Sequence, residues 1–465
     1  MRRVAATMLM LLTLLGAGGC AVGPDYKRTP FEATPAYKEQ GEWKPSEPED
    51  SLSRGPWWHI FNDPVLDGLE QQIDISNQNL KAAEDAYRQA LGLVAQARAG
   101  LWPTLAADAS LARGPPVPGG RVETLDSLGA SGSWQIDIWG QIRRTVEGDV
   151  ASAQASDAAI AAARLSAQAT LAIDYFELRA QDSLKSLLDD TVTDEERSLQ
   201  MTQNRYFYGV AAKADVVTAQ TQLLSSQASQ VNVAIARAQY EHAIAVLVGA
   251  QPASFALPVE SLRTDVPTTP TGLPSTLLER RPDIAEAERK MAAANAQIGV
   301  ARSAYFPSLT LSGSLSYSSV GLGDLLTAPS RIWAVGPALA QTVFDGGLRR
   351  AEVVQARAAY DVSVDNYRQA VLSSFQQVED NLVALRVLEQ QAGIEEATVA
   401  AAREAERLTL NQYKAGTVPY TSVITAQTTT LSSEQTALTV LLNRLTASVS
   451  LIEALGGGWN AALLH

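Results

Sequence analysis

The sequence repeats itself once, and no other feature constrains its fold as strongly. Residues 80–111 read LKAAEDAYRQALGLVAQARAGLWPTLAADASL, and residues 284–315 read IAEAERKMAAANAQIGVARSAYFPSLTLSGSL. Further on, NRYFYGVAAKADVVTAQTQL from Asn204 is answered by NQYKAGTVPYTSVITAQTTT from Asn411. The offset stays at about 204 to 207 positions, so one long unit has been duplicated and a solenoid of short repeats is excluded.

Each unit reads as helix, strand, strand, long helix, turn, helix. The strands are carried by alternation. In SLTLSGSLSYS, residues 308–318, Leu309, Leu311, Leu315 and Tyr317 share one face and serine or threonine the other. Leu105, Ala107, Ala109 and Leu111 alternate with Thr104, Ala106, Asp108 and Ser110. Leu128, Ala130, Trp134, Ile136 and Ile138 alternate with Ser127, Ser131, Ser133, Gln135 and Asp137, while Trp333, Val335, Leu339 and Val343 share a face of the fourth strand. Strands of about 11 residues have the length of a tilted strand crossing a bilayer. A Gly/Pro-rich loop such as GPPVPGG at 114–120 joins each pair. Surface hairpins on a soluble helical protein are the alternative, but their apolar faces would need a core to cover them, and the opposite faces are small and serine-rich. Four strands cannot close a membrane barrel, whose minimum is about eight. Several copies must therefore contribute, giving 8 strands in a dimer or 12 in a trimer.

The helices after the hairpins are rods. Tyr360, Val364, Tyr367, Val371, Phe375, Val378, Leu382 and Leu385 recur at spacings of three and four, a stripe that needs a partner helix. Proline is absent from about 347 to 413, and at 1.5 Å per residue some 65 residues reach about 100 Å. The first repeat has its counterpart at about 142–206. Both rods run into a glycine, at Tyr208-Gly209-Val210 and Ala415-Gly416-Thr417, and a fresh amphipathic run begins after each, the mark of a tight helical hairpin. Anything docking end-on to the rods meets these turns first.

Cys20 is the single cysteine, so neither an intramolecular disulfide nor a cysteine metal cage can hold the fold. Before it come Met1-Arg2-Arg3, an apolar run over residues 4–15 and small residues over 16–19, the layout of a secretory signal. Small residues running into a cysteine resemble a bacterial lipobox, with Ala17 where leucine is usual. An ordinary signal peptide with an incidental cysteine is the other reading. With 37 basic against 50 acidic residues and a net charge of −13, the chain is not built to bind nucleic acid. No apolar run after the leader approaches the roughly 20 residues of a membrane helix, so insertion other than by lipid requires a barrel.

Taken in order, TrpTrpHisIlePheAsnAspProValLeu at 57–66, LeuGluArgArgProAspIle at 278–284, Tyr305-Phe306-Pro307 and LeuGlyGlyGlyTrp at 455–459 resemble the TolC-like outer-membrane efflux channels, of the OprM or NodT lipoprotein type. The resemblance spans nearly the whole mature sequence. It implies a mainly α fold with transmembrane β: a homotrimer in which four strands per chain build one 12-stranded outer-membrane β-barrel, continuous with a long periplasmic α-helical barrel. The expected organisation is a lipoprotein signal peptide at 1–19 and a Pro-rich equatorial segment at 20–64. Repeat 1 follows at 65–248, with its hairpin at about 103–138 and tip turn at about 208–214. An equatorial linker at 249–274 leads to repeat 2 at 275–455, with hairpin and tip turn at about 307–343 and 415–421, and a tail at 456–465. Further implications are a lipid on Cys20 as the sole covalent addition, no cofactor, and a passive exit duct for small molecules. Its partners would be a periplasmic adaptor, an inner-membrane efflux pump that supplies energy, and outer-membrane lipids. In the family, polar contacts between the two hairpins hold the tip closed, and an aspartate and a tyrosine of that set match Asp215 and Tyr413. The usual basic residue falls at Val418, and common acidic positions at Ser422 and Thr425, so packing is expected to carry more of this gate, with Pro419 stiffening the turn. Asp215 can equally be a carboxylate favoured at a helix N-terminus. Adaptor docking is expected at Tyr208, Gly209, Val210, Gly416, Thr417 and Val418.

No catalytic constellation stands out. His59, His242 and His465 are isolated, without a second ligand at helical spacing, and no GxSxG, P-loop or HExxH pattern occurs, so neither an enzyme nor a metal site is expected. The acidic cluster Asp189, Asp190, Asp194, Glu195 and Glu196 either faces a lumen or is a solvated outer face. Arg143-Arg144 and Arg349-Arg350 recur after each hairpin, where interfacial anchors are expected. A lipid-anchored coiled-coil scaffold without a pore is the rival to the channel.

Overall fold

The computed structural model describes residues 21–28, 36–39, 56–114, 122–267 and 280–458. Cys20 and its leader, most of the 114–120 loop, Leu278, Glu279, Trp459 and His465 lie outside the described residues.

Four strands, β1 (Thr104–Gly114), β2 (Glu123–Ile136), β3 (Ser308–Ser319) and β4 (Arg331–Ala340), form one antiparallel sheet in chain order. Its register aligns the alternating faces across all four strands. One cross-strand row runs Ala107, Ala130, Leu315, Trp333, and another runs Leu105, Gly132, Gly313, Val335. The adjacent row on the opposite face runs Ala106, Ser131, Ser314, Ala334. A one-residue slip in any pair would mix the two faces. Leu105, Leu311, Leu315, Trp333, Val335 and Leu339 are all exposed, so the chain itself offers this apolar face no cover. β1 and β4 each have one neighbour, leaving two free edges.

Two strand ends differ from the alternation pattern. β2 stops at Ile136 and not at Ile138, because Asp137 turns to accept bonds from the amides of Ile142 and Arg143 at 3.1 and 3.0 Å. β4 stops at Ala340, leaving Val343 beyond it, and Asp345 accepts from the amide of Gly347 at 2.9 Å. In both places a carboxylate at a helix start competes with continuation of the strand.

The repeat 1 helices are α1 (Pro64–Ser76), α2 (Gln78–Ala99), α3 (Gln141–Phe207) and α4 (Lys213–Leu247); those of repeat 2 are α5 (Pro282–Ser303), α6 (Leu348–Lys414) and α7 (Tyr420–Ala454). Repeat 1 thus opens with two helices where one was expected. Asn77 divides them: its backbone is extended, its Oδ1 accepts from Leu80 N at 2.9 Å and its Nδ2 donates to Leu247 O at 2.8 Å. The two rods have 67 residues each, about 100 Å at a helical rise.

From Ala356 to Leu385 one side of α6 is covered by neighbours. Val364, Tyr367 and Val371 of α6 pack on Ile284 and Met291 of α5; lower down, Val378, Leu382 and Leu385 pack on Leu451 and Ala454 of α7 and on Tyr37. α7 is long and apolar enough to cross a membrane by composition, which corrects the expectation that no such run follows the leader. Its buried side chains Leu445, Val449 and Ile452 belong to the largest core, with Leu171, Tyr175 and Leu178 of α3 and Leu66, Leu69 and Ile73 of α1. The turn Trp57–Phe61 joins the same core, and Phe61 and Phe176 lie 5.0 Å apart.

Two irregular segments are stitched to the helices. The stretch after α4 is held by Arg179, donating to Pro258 O at 2.6 Å, and Arg237, donating to Leu257 O at 2.9 Å, with Asp182 bonding both arginines. Residues 21–28 lie in the groove between α3 and α5. There Val22 N donates to Trp139 O at 2.9 Å, Asn295 donates to Pro24 O at 3.0 Å, and the Tyr26 hydroxyl donates to Glu288.

Candidate functional site

The two rod ends are built alike. At the first, Gly209 N donates to Tyr206 O and Val210 N to Arg205 O; at the second, Gly416 N donates to Tyr413 O and Thr417 N to Gln412 O. This paired bonding terminates a helix through a left-handed residue, and Gly209 and Gly416 have φ of 73° and 76°. Only glycine takes that conformation without steric cost. α4 and α7 then return antiparallel beside α3 and α6.

The tips differ in what they present. Phe207 (82% exposed), Tyr208 (76%) and Val210 (64%) crown the first. Clustered apolar groups left in water at the end of a rod are what a partner protein would cover. At the second tip Gly416 and Thr417 are exposed, while Val418 tucks against a buried cluster of Tyr413, Tyr420, Val423 and Ala219. The Tyr413 and Tyr420 rings lie 5.2 Å apart, and burial, reinforced by the negative charge of Glu195, pushes the Tyr420 phenol up to about 12, so it stays protonated.

Asp215 and Tyr413, paired by resemblance, are not bonded to each other within the chain. Asp215 Oδ2 accepts from Ala212 N at 3.3 Å at the start of α4, the helix-terminus role. The Tyr413 hydroxyl instead lies 3.4 Å from Thr202 Oγ1 of the other hairpin. Two further contacts join the hairpins: Gln427 Nε2 donates to Ser198 Oγ at 3.3 Å, and Arg205 Nη1 donates to Lys414 O at 3.0 Å. Sequence reasoning passed over Arg205, although its spacing from Ser198 and Thr202 places all three on one face of α3.

The acidic cluster on α3 is divided. Glu195 is buried and accepts from Gln222 at 3.0 Å, Asp189 is bonded by Lys185 and Gln230, and Asp194 pairs with Arg197 at 2.9 Å. The arginine pairs are divided as well. Arg143 and Arg349 pair with Asp137 and Asp345 at the rod starts, at 3.2 and 3.4 Å. Arg144 is buried and donates to Asp25, Glu147 and Val22 O, so it serves residues 21–28 and not an interface with lipid. Among the described residues no group of three His, Cys, Asp or Glu could hold a metal ion.

The family profile described as outer membrane efflux protein matches residues 69–250 and 273–457. The chain is 30% identical to the probable efflux pump outer membrane protein TtgC of Pseudomonas putida, across 97% of this chain and 95% of that one. It is 31% identical to the pyoverdine export outer membrane protein OpmQ of Pseudomonas aeruginosa, across 98% and 97%. Its fold matches that of the outer-membrane channel OprN with a TM-score of 0.87 and 28% identity, covering 95% of this chain and all of that one.

Proposed function

Because this chain belongs to the outer membrane efflux protein family, and is an outer-membrane efflux channel and not an enzyme, we propose that it works as a trimeric, passive exit duct of a tripartite efflux system. The observation that carries the trimer is the sheet: four strands, an apolar face without cover and two free edges. Joining β1 of one copy to β4 of the next removes every edge, and three copies give twelve strands. The same closure carries α2, which leads into β1, toward the neighbour's α6, which follows β4. Leu91 on α2, Trp102 just after it, and Leu348, Val354 and Val362 on α6 are exposed apolar groups for such an interface.

Below the sheet the rods of three copies would continue as one α-helical barrel through the periplasm. An adaptor would dock on Tyr208, Gly209 and Val210 of the first tip and Gly416, Thr417 and Val418 of the second, while Asp215 and Tyr413 shape the closed end. Energy would come from an inner-membrane pump. That pump would also choose the cargo, since relatives of this length are named for toluene efflux and for pyoverdine export. A lipid on Cys20 fits the course of residues 21–28. Val22 is tied to Trp139, whose ring stacks on Phe306 at 4.6 Å at the foot of the sheet, where aromatic residues mark a membrane boundary. Such a lipid would position the chain during assembly, with the barrel as the main anchor.

Purified protein in planar lipid bilayers, run beside a heat-sensitive trimer band on gels, tests the proposal. Discrete conductance steps from the trimer are expected. A trimer or monomer that never conducts, and leaves membranes under mild extraction, would establish the lipid-anchored scaffold instead. Cys20→Ser with a cleavable signal is expected still to give membrane-inserted trimers, and loss of all insertion would make the lipid the essential anchor.

A further inference from the structure

We propose that the outer rim of the sheet's apolar face binds the phosphorylated glycolipid of the outer leaflet, an acylated sugar phosphate, through Arg113 and Arg331. The inference rests on the barrel reading and adds a ligand to it. The register fixes where the charges lie. Among the described residues, those on the apolar face are Arg113, Asp126 and Arg331, and all fall in the three cross-strand rows farthest from the rods. Arg331 shares a row with Ala109, Leu128 and Tyr317, and Arg113 pairs with Thr124. Asp126 is 4% exposed, whereas both arginines are exposed, so the charge this rim offers to its surroundings is positive. Leu339 lies on the same face eight positions from Arg331, about 26 Å along a strand. At the usual tilt that is about 20 Å of depth, close to the height of a barrel's apolar band. Arg331 therefore stands at the headgroup level, with Tyr317 in its row and Trp333 two positions along β4, where aromatic rings gather.

The two ends of the sheet treat their arginines differently. At the rod end, Arg143 and Arg349 are paired with Asp137 and Asp345 at 3.2 and 3.4 Å. At the outer end, Arg113 and Arg331 have no partner among the described residues. The chain neutralises its cations on one side of the membrane and leaves them open on the other. The rods occupy the periplasm, so the open side faces the outer leaflet, whose glycolipid carries phosphate on an acylated sugar. A guanidinium matches phosphate geometry with two parallel bonds, and its stem stays on apolar surface. Arg113 is next to last in β1 and Arg331 is first in β4, the two edge strands. Closing β1 of one copy on β4 of the next sets these strands side by side, about 4.8 Å apart. Each seam then carries both arginines above the exposed apolar rows on which acyl chains would lie.

Purified trimers in neutral detergent, titrated with lipid A bearing its phosphates, with the same lipid A stripped of phosphate and with phosphatidylglycerol, test this by native mass spectrometry. Wild type is expected to bind phosphorylated lipid A at least about tenfold more tightly than either other lipid, one molecule per seam. Arg113→Gln combined with Arg331→Gln is expected to lose that preference with the heat-sensitive trimer band intact, while Ser110→Ala, on the opposite face, keeps it. Equal binding of phosphorylated and stripped lipid A by wild type overturns the proposal, as does a preference that survives in the double variant. If the double variant yields no trimer band, Arg331→Gln alone is read in the same way. Phosphatidylglycerol bound as tightly as lipid A would make the rim a general anionic-lipid surface and overturn the glycolipid assignment. Failure of the wild type to form trimers would instead strike the barrel reading.

Discussion

The Tyr175 hydroxyl, midway along the first rod, donates a buried 2.8 Å hydrogen bond to Asp63 Oδ2, a residue 112 positions earlier in the sequence. Asp63 Oδ1 caps α1 at the same time, accepting from Val65 N and Leu66 N at 3.0 and 3.2 Å. A single carboxylate thus sets where α1 begins and where it lies on α3. Tyr175→Phe is expected to cost about 1–2 kcal/mol, since it leaves one buried acceptor less satisfied. Asp63→Ala is expected to cost more, roughly 2–4 kcal/mol, because the cap goes as well. Thermal dissociation of the assembled protein reads both, and equal losses from the two variants would contradict the double role.

Glu70 of α1 is fully buried, and neither of its carboxylate oxygens has a partner among the described residues. Burial, with the charges of Asp74 and Asp67 added, pushes it up to about 9. The folded chain therefore holds this proton up to about pH 9, while the unfolded chain releases it near 4.5. Between those values the folded state binds more protons, so stability falls as pH rises, by about 1.4 kcal/mol per pH unit. Glu70→Gln removes that slope. The melting difference between variant and wild type should widen from pH 5 to pH 9, and parallel curves would show that the carboxylate has found a partner.

What the sequence disclosed and what it withheld follow one physical division. The faces of Leu309 to Tyr317, the α6 stripe from Tyr360 to Leu385 and the glycines at 209 and 416 are local signals, written in periods of two or three to four residues or in a backbone sign. Arg205 on Lys414, Arg144 on Asp25 and Tyr26 on Glu288 join residues 209, 119 and 262 positions apart. No local period encodes such pairs. Arg143 and Arg144 are adjacent and identical, yet a helix turns the second about 100° from the first and into the groove that holds residues 21–28. Asp215 illustrates the converse: resemblance paired it with Tyr413, but the nearest unsatisfied amide of its own helix claimed it.

That groove makes a prediction. Arg144 Nη2 and Nη1 bind Asp25 and Glu147 at 2.8 and 2.7 Å, and Nε donates to Val22 O at 3.3 Å. Gly299 leaves the room: a Cβ there would stand 2.8 Å from Arg144 Cγ and 2.9 Å from Val22 O. Arg144→Ala and Gly299→Ala attack the same contact, one by removing the donor and one by filling the space. Both are expected to speed amide hydrogen exchange at Val22, whose N–H is bonded to Trp139, while Arg143→Ala is not. Unchanged protection at Val22 in both variants would place the anchorage of this segment elsewhere.

The sheet predicts a test by parity alone. Leu315 and Ser314 are adjacent near the middle of β3, and the register puts Leu315 in the row with Ala130 and Trp333 and Ser314 in the row with Ser131 and Ala334. If the apolar rows face lipid, Leu315→Lys places an ammonium in hydrocarbon, a penalty of about 2–4 kcal/mol near the bilayer centre in each subunit. Ser314→Lys places the same charge on the opposite face, where a water-filled interior solvates it. Since every copy carries the substitution, the difference is multiplied by the number of subunits. Leu315→Lys is expected to sharply reduce heat-stable protein in the outer membrane, while Ser314→Lys inserts normally and changes conductance or ion selectivity. The reverse pattern would turn the sheet inside out, and equal insertion of the two would mean that neither face meets lipid.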